Sequence, residues 1–197
     1  VKNSRWMEGR GDVVAMLRRS CDKYGVKMGL YVSPWDRNAA CYGTGKAYDD
    51  FFVRQITELL TGYGEIAEVW FDGANGSEAD GKHQVYDWAR YIRTVKELQP
   101  GAVTAIMGDD IRWVGNEAGR GRAEEWSATA LAPASVGLKD PTPAVEALTE
   151  TSPDLGSRAI LDEAKELFWY PSEVDVSIRP GWFYHASEDE KVRSLEA

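Results

Sequence analysis

Histidine and cysteine are scarce in this chain, with two of each in 197 residues. His83 and His185 alone cannot furnish a His-rich metal site, so no metal or other cofactor is expected. Two cysteines cannot build a disulfide framework, and Cys21 falls on the apolar stripe of a predicted helix, so a Cys21–Cys41 bridge is not expected. Positive charge is also short: 23 Lys and Arg stand against 32 Asp and Glu, for a net charge of −9 and a pI near 4.8. That balance argues against a protein that tracks nucleic-acid phosphates, and no basic cluster overrides it. No run approaches the roughly 18 apolar residues of a membrane span. Nucleotide and acyl-transfer signatures are missing too. Gly43-Thr44-Gly45-Lys46 has Ala40 where a P-loop needs its first glycine and Ala47 where it needs Ser or Thr, and there is no Gly-x-Ser-x-Gly elbow.

What is plentiful is aromatic and alternating. Eight Trp and nine Tyr are a heavy load, suited partly to a core and partly to stacking on apolar ligand faces. From Asp12 to Tyr24, apolar Val13, Leu17, Cys21 and Tyr24 mark one helix face, closed by Gly25. Val26 to Ser33 reads as a strand. Phe52, Ile56, Leu59 and Tyr63 mark a second helix, closed by Gly64. Glu65 to Phe71 is a central strand stopping at Asp72-Gly73. A third helix, from about His83 to Leu98, is predicted to turn Val85, Trp88, Ile92 and Val95 inward, and Ala102 to Met107 is a short apolar strand. His83 is then a solvated helix residue.

The three strands begin at Val26, Glu65 and Ala102, 39 and 37 residues apart. Strands separated by amphipathic helices imply right-handed βα units in a parallel sheet, and the regular pitch suits an α/β fold of the (β/α)₈ TIM-barrel type, with a doubly wound open sheet as runner-up. Beyond Gly108 the pattern loosens. Gly108 to Gly121 reads as a loop crowded with Asp109, Asp110, Arg112, Trp113, Asn116 and Glu117. Thr129 to Ser152 reads as an irregular insertion, Arg158 to Phe168 as a helix, and Glu173 to Ile178 as a strand alternating Val174, Val176 and Ile178. With a further candidate strand around Glu124 to Ala128, the expectation is a partial barrel of about strands 3 to 7, one truncated domain over residues 1–197. Both ends, Val1 and Ala197, read as cut.

Such units place Tyr31, Ser33, Trp35, Asp36, Asp72, Glu117, Arg179 and Trp182 at or just past strand C-termini, the face that carries catalysis in β/α barrels. Two carboxylates among tryptophans suit glycoside hydrolysis. Each residue also has a plainer reading: Asp72-Gly73 as a turn, each aromatic as core, Arg179 as half of an ion pair.

Four motifs in order sharpen this reading. Gly29-Leu30-Tyr31-Val32-Ser33-Pro34-Trp35-Asp36, Val69-Trp70-Phe71-Asp72-Gly73, Arg112-Trp113-Val114-Gly115-Asn116-Glu117-Ala118-Gly119 and Ser177-Ile178-Arg179-Pro180-Gly181-Trp182-Phe183-Tyr184-His185 resemble glycoside hydrolase family 29, the α-L-fucosidases. The Gly-Asn-Glu-Ala-Gly form is most similar to the branch that prefers α-1,3- and α-1,4-linked fucose. The resemblance implies a retaining double displacement on a fucosylated oligosaccharide, with Asp72 as nucleophile and Glu117 as general acid/base. It also implies a periplasmic, extracellular or lysosomal setting, and fucose-holding histidines on earlier strands that this chain lacks. Tyr31, Trp35, Trp70, Trp113, Arg179 and Trp182 are the expected substrate contacts. Glu173 is the competing proton donor, but it precedes its alternating run and is expected at the far end of the barrel. A Trp113 placed over Glu117 would exclude water there. A sugar-binding barrel without turnover and an inactive piece of a longer glycosidase are the alternatives.

Overall fold

The computed structural model describes residues 5–76, 81–123, 125–130, 158–162 and 164–194. Its centre is a three-stranded parallel sheet of β1 (Gly29–Val32), β2 (Glu68–Phe71) and β3 (Val103–Ile106), with β2 in the middle. Leu30 pairs with Val69 and Val69 with Thr104, so the register is continuous across the sheet. Helices α1 (Val13–Tyr24), α2 (Lys46–Gly62) and α3 (Trp88–Leu98) precede the three strands in turn. This is the βα alternation read from the sequence.

Side chains alternate across a strand, and β2 shows the consequence most clearly. Val69 and Phe71 are fully buried, whereas Glu68 and Trp70 on the other face are only partly so. The buried face meets α2 and α3 through an aromatic cluster. Phe52 sits 4.8 Å from Tyr91 and 6.5 Å from Phe71 between ring centroids, and Trp88 closes on Phe71 at 5.9 Å. The inward row of α2 is Tyr48, Phe52, Ile56 and Leu60. The predicted row ended on Leu59 and Tyr63, which are only partly buried, because the true stripe drifts by one position in its last turn.

Several expectations are corrected. The third helix begins at Trp88, not His83, because Asp87 caps it by accepting from the Arg90 amide. The preceding residues run without regular structure, where Gln84 is buried and clamps Gly45 through both amide atoms, leaving Val85 77% exposed. His83 is solvated but not helical. In α1, only Cys21 of the predicted stripe is buried; Val13, Leu17 and Tyr24 are 48–71% exposed, because no described element packs over them. Cys21 and Cys41 are both free thiols.

The later elements depart further. Two-residue strands β4 (Arg112–Trp113) and β7 (Ser172–Glu173) pair in parallel, and β5 (Ala128–Thr129) and β6 (Phe168–Trp169) pair antiparallel. A single bridge, Ala105 to Ile111, links the central sheet toward β4. The described residues therefore form small sheets, not one continuous run of strands 3 to 7. The helix α4 covers only Arg158–Leu161, since the aromatic run at its expected end, Phe168-Trp169, pairs as a strand instead. Val176 and Ile178 keep their alternation but are exposed; between them the Ser177 hydroxyl bonds the carbonyls of Arg179 and Gly181, a local turn that competes with a ladder. Of the fifth strand expected at 124–128, the described residues 125–127 are not in a strand, and β5 begins at Ala128. The insertion expected at 129–152 lies almost entirely outside the described residues.

The aromatic cluster sets the expected stabilities. Truncating Phe52, fully buried against three rings, should cost about 3–5 kcal/mol in chemical denaturation of the full-length protein, whereas Asp87→Ala should cost about 1 kcal/mol through its lost cap.

Candidate active site

The face of the sheet away from the helices opens into a cavity of about 600 Å³ lined by Gly29, Leu30, Tyr31, Glu68, Trp70, Asp72, Glu117, Asp175, Trp182 and Phe183. Strand periodicity builds its floor. Glu68, Trp70 and Asp72 follow one another at steps of two along β2 and past its end, and Tyr31 pairs with Trp70 from β1. The Tyr31 and Trp70 rings stack at 5.2 Å.

Asp72 lies one residue beyond β2. Its Oδ1 accepts the Ala74 amide at 2.7 Å and its Oδ2 accepts the Tyr31 hydroxyl, so both oxygens are held. The loop behind it is strapped down. The Asn75 amide group donates to the Gln84 carbonyl at 3.0 Å, and Tyr86 donates its hydroxyl to the Ala74 carbonyl at 3.2 Å. At Gly76 a Cβ would lie 2.3 Å from the Trp35 ring, so only glycine allows Trp35 to press against this loop.

Glu117 reaches the cavity from the loop after β4. Asn116, 7% exposed, ties that loop by donating to the Arg120 carbonyl and accepting the Ala118 amide, both at 2.9 Å. Gly115 and Gly119 adopt positive φ on either side. Beneath it a cluster of charges is locked in: buried Arg112 pairs with Glu125 at 2.8 Å, and Arg122 pairs with the same carboxylate at 2.9 Å while donating to the Val114 carbonyl. Glu117 itself is exposed, and its Oε2 accepts the Trp182 indole N–H at 3.2 Å. The Tyr31 hydroxyl is pushed up to about 12, first by desolvation and then by its bond to Asp72, with Glu117 adding its charge from farther off. Tyr31 is therefore a neutral donor at any physiological pH.

The structure thus brings Asp72, Glu117, Tyr31, Trp70 and Trp182 to one cavity. Trp35, Trp113 and Arg179 lie outside its lining: Trp35 backs the Asp72 loop, Trp113 donates its indole N–H to Asp175 at 2.9 Å, and Arg179 faces Asp189 at 3.6 Å and the Tyr184 ring. The indole beside Glu117 is Trp182 instead of Trp113. The Asp109–Arg112 group read as chemistry is mainly scaffold, since Asp110 bonds Lys96 at 2.6 Å and Thr104, and Arg112 is buried. Lys96 holds the Asp110 carboxyl below its ordinary range, against the upward push of burial. Glu68, Asp175 and Phe183 were missed. Counting two back from Trp70 would have found Glu68.

Glu173 is not part of the cavity lining, but it touches a residue that is: its Oε1 accepts the Trp70 indole N–H at 2.9 Å. Burial pushes its carboxyl up, and the neighbouring Glu68 adds to the rise. Among the described residues no group of three or more His, Cys, Asp or Glu is arranged to hold a metal ion. No described helix is long and apolar enough to cross a membrane.

A parallel sheet fed by preceding helices, with acids on and just past its strand tips, has the site architecture of (β/α) enzymes. Comparison with known proteins makes this specific. The family model for Alpha-L-fucosidase matches residues 2–130. Alpha-L-fucosidase 1 of Arabidopsis thaliana is 42% identical over 193 residues, which is 97% of this chain and 35% of that protein. A crystal structure of a candidate α-L-fucosidase from Bacteroides ovatus is 61% identical with a TM-score of 0.87, covering 98% of this chain and 33% of its own. A glycoside hydrolase 29 family member from an unknown rumen bacterium is 38% identical with a TM-score of 0.73, covering 99% of this chain and 34% of its own. The chain belongs to the α-L-fucosidase family, and it spans about a third of the length of these relatives.

Because Glu173 has a folded-state pKa raised above its unfolded value, its stabilising contribution is present below the ordinary carboxyl range and is lost as pH rises through the raised value. Glu173→Gln, neutral at every pH, should therefore raise the melting temperature of the full-length protein near pH 7, and the gain should shrink as pH falls through the raised value and be gone below about 4.5. A gain that is flat with pH would contradict the burial-driven shift.

Proposed function

We propose that the protein containing this chain is a retaining α-L-fucosidase that removes terminal α-linked L-fucose from oligosaccharides or glycoconjugates. The observation that carries the reading is the meeting of Asp72, at the tip of the central strand, and Glu117, on the loop after β4, in one aromatic-lined cavity. In the first step a carboxylate oxygen of Asp72 attacks the anomeric carbon while Glu117 gives its proton to the departing glycosidic oxygen. In the second step Glu117 takes a proton from water, the water oxygen attacks the same carbon, and the Asp72 carboxylate leaves, so the α configuration is kept. Retention by this route wants the two carboxyl groups about 5–5.5 Å apart.

The supporting contacts fit these roles. Tyr31 and the Ala74 amide fix both Asp72 oxygens, and Trp182 fixes one Glu117 oxygen, so neither group has to be reoriented before it reacts. Trp70, Tyr31 and Trp182 supply apolar faces for the sugar ring. Trp35, Trp113 and Arg179 stand one layer back from that wall and act on the substrate through its supports. The Gly115-Asn116-Glu117-Ala118-Gly119 form favours the branch of the family acting on α-1,3- and α-1,4-linked fucose. Within the longer protein, the sheet and its helices are the middle of a (β/α)₈ catalytic barrel, about strands 3 to 7, and residues 1–197 belong to that single domain. Its substrate is a fucosylated oligosaccharide, met in a periplasmic, extracellular or lysosomal compartment.

Two variants of the full-length protein test the assignment on an aryl α-L-fucoside. Asp72→Ala should fall to near background, and added azide should yield the inverted β-fucosyl azide, because the azide takes the place of the lost nucleophile. Wild-type turnover in this variant would return Asp72 to an ordinary turn residue. Glu117→Ala should slow substrates with poor leaving groups by about 10²–10⁴-fold while sparing activated phenolates at the first step, and azide should give the retained α-fucosyl azide. If Glu173→Ala showed that pattern and Glu117→Ala did not, the proton donor would be reassigned.

A further inference from the structure

A run of contacts that the double displacement does not use leads from behind the cavity wall into it. Glu173 on β7 accepts the Trp70 indole N–H at 2.9 Å; Trp70 on β2 stacks on Tyr31 at 5.2 Å; Tyr31 on β1 donates its hydroxyl to Asp72. Three strands that are distant in sequence are thereby joined, side chain to side chain, up to the carboxylate proposed to attack the sugar. We propose that Glu173 is a positioning residue for that reaction, holding the Trp70 indole and, through its stack on Tyr31, the Asp72 carboxylate.

Why an acid should stand here follows from its neighbours. Glu173 is partly buried, and the charged groups facing it are acidic: Glu68 from β2 and Asp175 two residues along its own segment. Asp175 is occupied by the Trp113 indole N–H, so the segment after β7 uses two carboxylates in alternation to hold two indoles from two other strands. Glu68 lies within hydrogen-bonding reach of Glu173. Burial and Glu68 both push Glu173 toward its protonated form, in which one oxygen still accepts from Trp70. The backbone of Glu173 is fixed independently, its carbonyl accepting the Val114 amide at 3.0 Å on the strand that leads to the Glu117 loop. One residue thus ties the Asp72 side of the cavity to the segment that presents Glu117.

A side chain that touches neither sugar nor reacting atoms can matter here because ring stacking is stiff while the reaction tolerates little misplacement. Displacement of a reacting group by about 1 Å costs on the order of 10²-fold in rate. Without its acceptor the part-buried Trp70 N–H loses its partner, and the indole is free to turn toward another.

The inference rests on the fucosidase reading, and the test keeps the two apart. In the full-length protein, Glu173→Ala is expected to lower kcat/KM for an aryl α-L-fucoside by about 10²-fold. Glu173→Gln is expected to recover most of that loss, since its side-chain carbonyl accepts from Trp70 and its amide, like a protonated carboxyl, can donate toward Glu68. Trp70→Phe removes the donor, so Trp70→Phe with Glu173→Ala should lose no more than Trp70→Phe alone. Azide should not rescue Glu173→Ala, because Glu173 handles no proton of the reaction. Should Glu173→Ala fail to fold, Glu173→Leu, of similar size but with no acceptor, is expected to show the same loss and the same coupling to Trp70. The inference is overturned by near-wild-type activity in the Ala or Leu variant, by a Gln variant as poor as Ala, or by losses at Trp70 and Glu173 that multiply. Failure of the underlying fucosidase reading would show elsewhere, as undiminished turnover in Asp72→Ala.

Discussion

The alternation of side chains along β2 is the constraint on which the rest of the structure depends. A strand with helices on one side must send Val69 and Phe71 into their packing, and geometry then sends Glu68, Trp70 and Asp72 the other way. Polarity and position are set by one choice. Were β2 to slip by a single residue, the Phe52–Phe71–Tyr91 cluster would lose its sheet anchor and two acids would be forced beneath α2 and α3. Burial of the aromatic face therefore aims the cavity acids more firmly than any contact they make themselves. The parallel pairing of β1 and β3 on either side reinforces the same register.

Much of this was legible before any coordinates. The βα order, the closing glycines Gly25 and Gly64, the parallel sheet and the placement of Asp72 at a strand end all follow from hydrophobic period and turn chemistry. These are local signals backed by long apolar stripes, and α2 and α3 are buried nearly as their patterns require. The misses have a common physical origin. Val13, Leu17 and Tyr24 carry a helical stripe that reads as core, but periodicity states only that a face is apolar, not that something covers it. His83 to Asp87 could continue the third helix by pattern alone. The capping of Trp88 by Asp87 and the long-range bonds from Gln84 to Gly45 prevent it.

The site was legible in the same uneven way. Asp72 and Glu117 could be named because their flanking residues form short, specific motifs, and Tyr31, Trp70 and Trp182 came with them. The contact of Glu173 with Trp70 was not legible because it depends on the pairing of a two-residue strand, Trp113 opposite Glu173, which no local pattern announces. Trp113 went astray for the related reason that its indole is claimed by Asp175. Arg112 reads from the sequence as one of the charges of a reactive loop. In the structure Arg112 and Arg122 share the Glu125 carboxylate beneath the Glu117 loop, so what sequence alone presents as reactive functions as support.

The two cavity acids are consequently supported in different ways. Asp72 sits on a packed strand end, both of its oxygens occupied and its loop strapped by Tyr86 and Asn75, and it has little freedom to move. Glu117 stands on an exposed loop held by a buried ion-pair cluster and the Asn116 turn, with Trp182 at its carboxyl among the described residues. The proposed double displacement asks for this difference. The attacking group forms and breaks a bond to carbon and gains from a fixed line of approach. The proton carrier must serve a departing oxygen in one step and an incoming water in the next, and a solvent-facing position lets it do both.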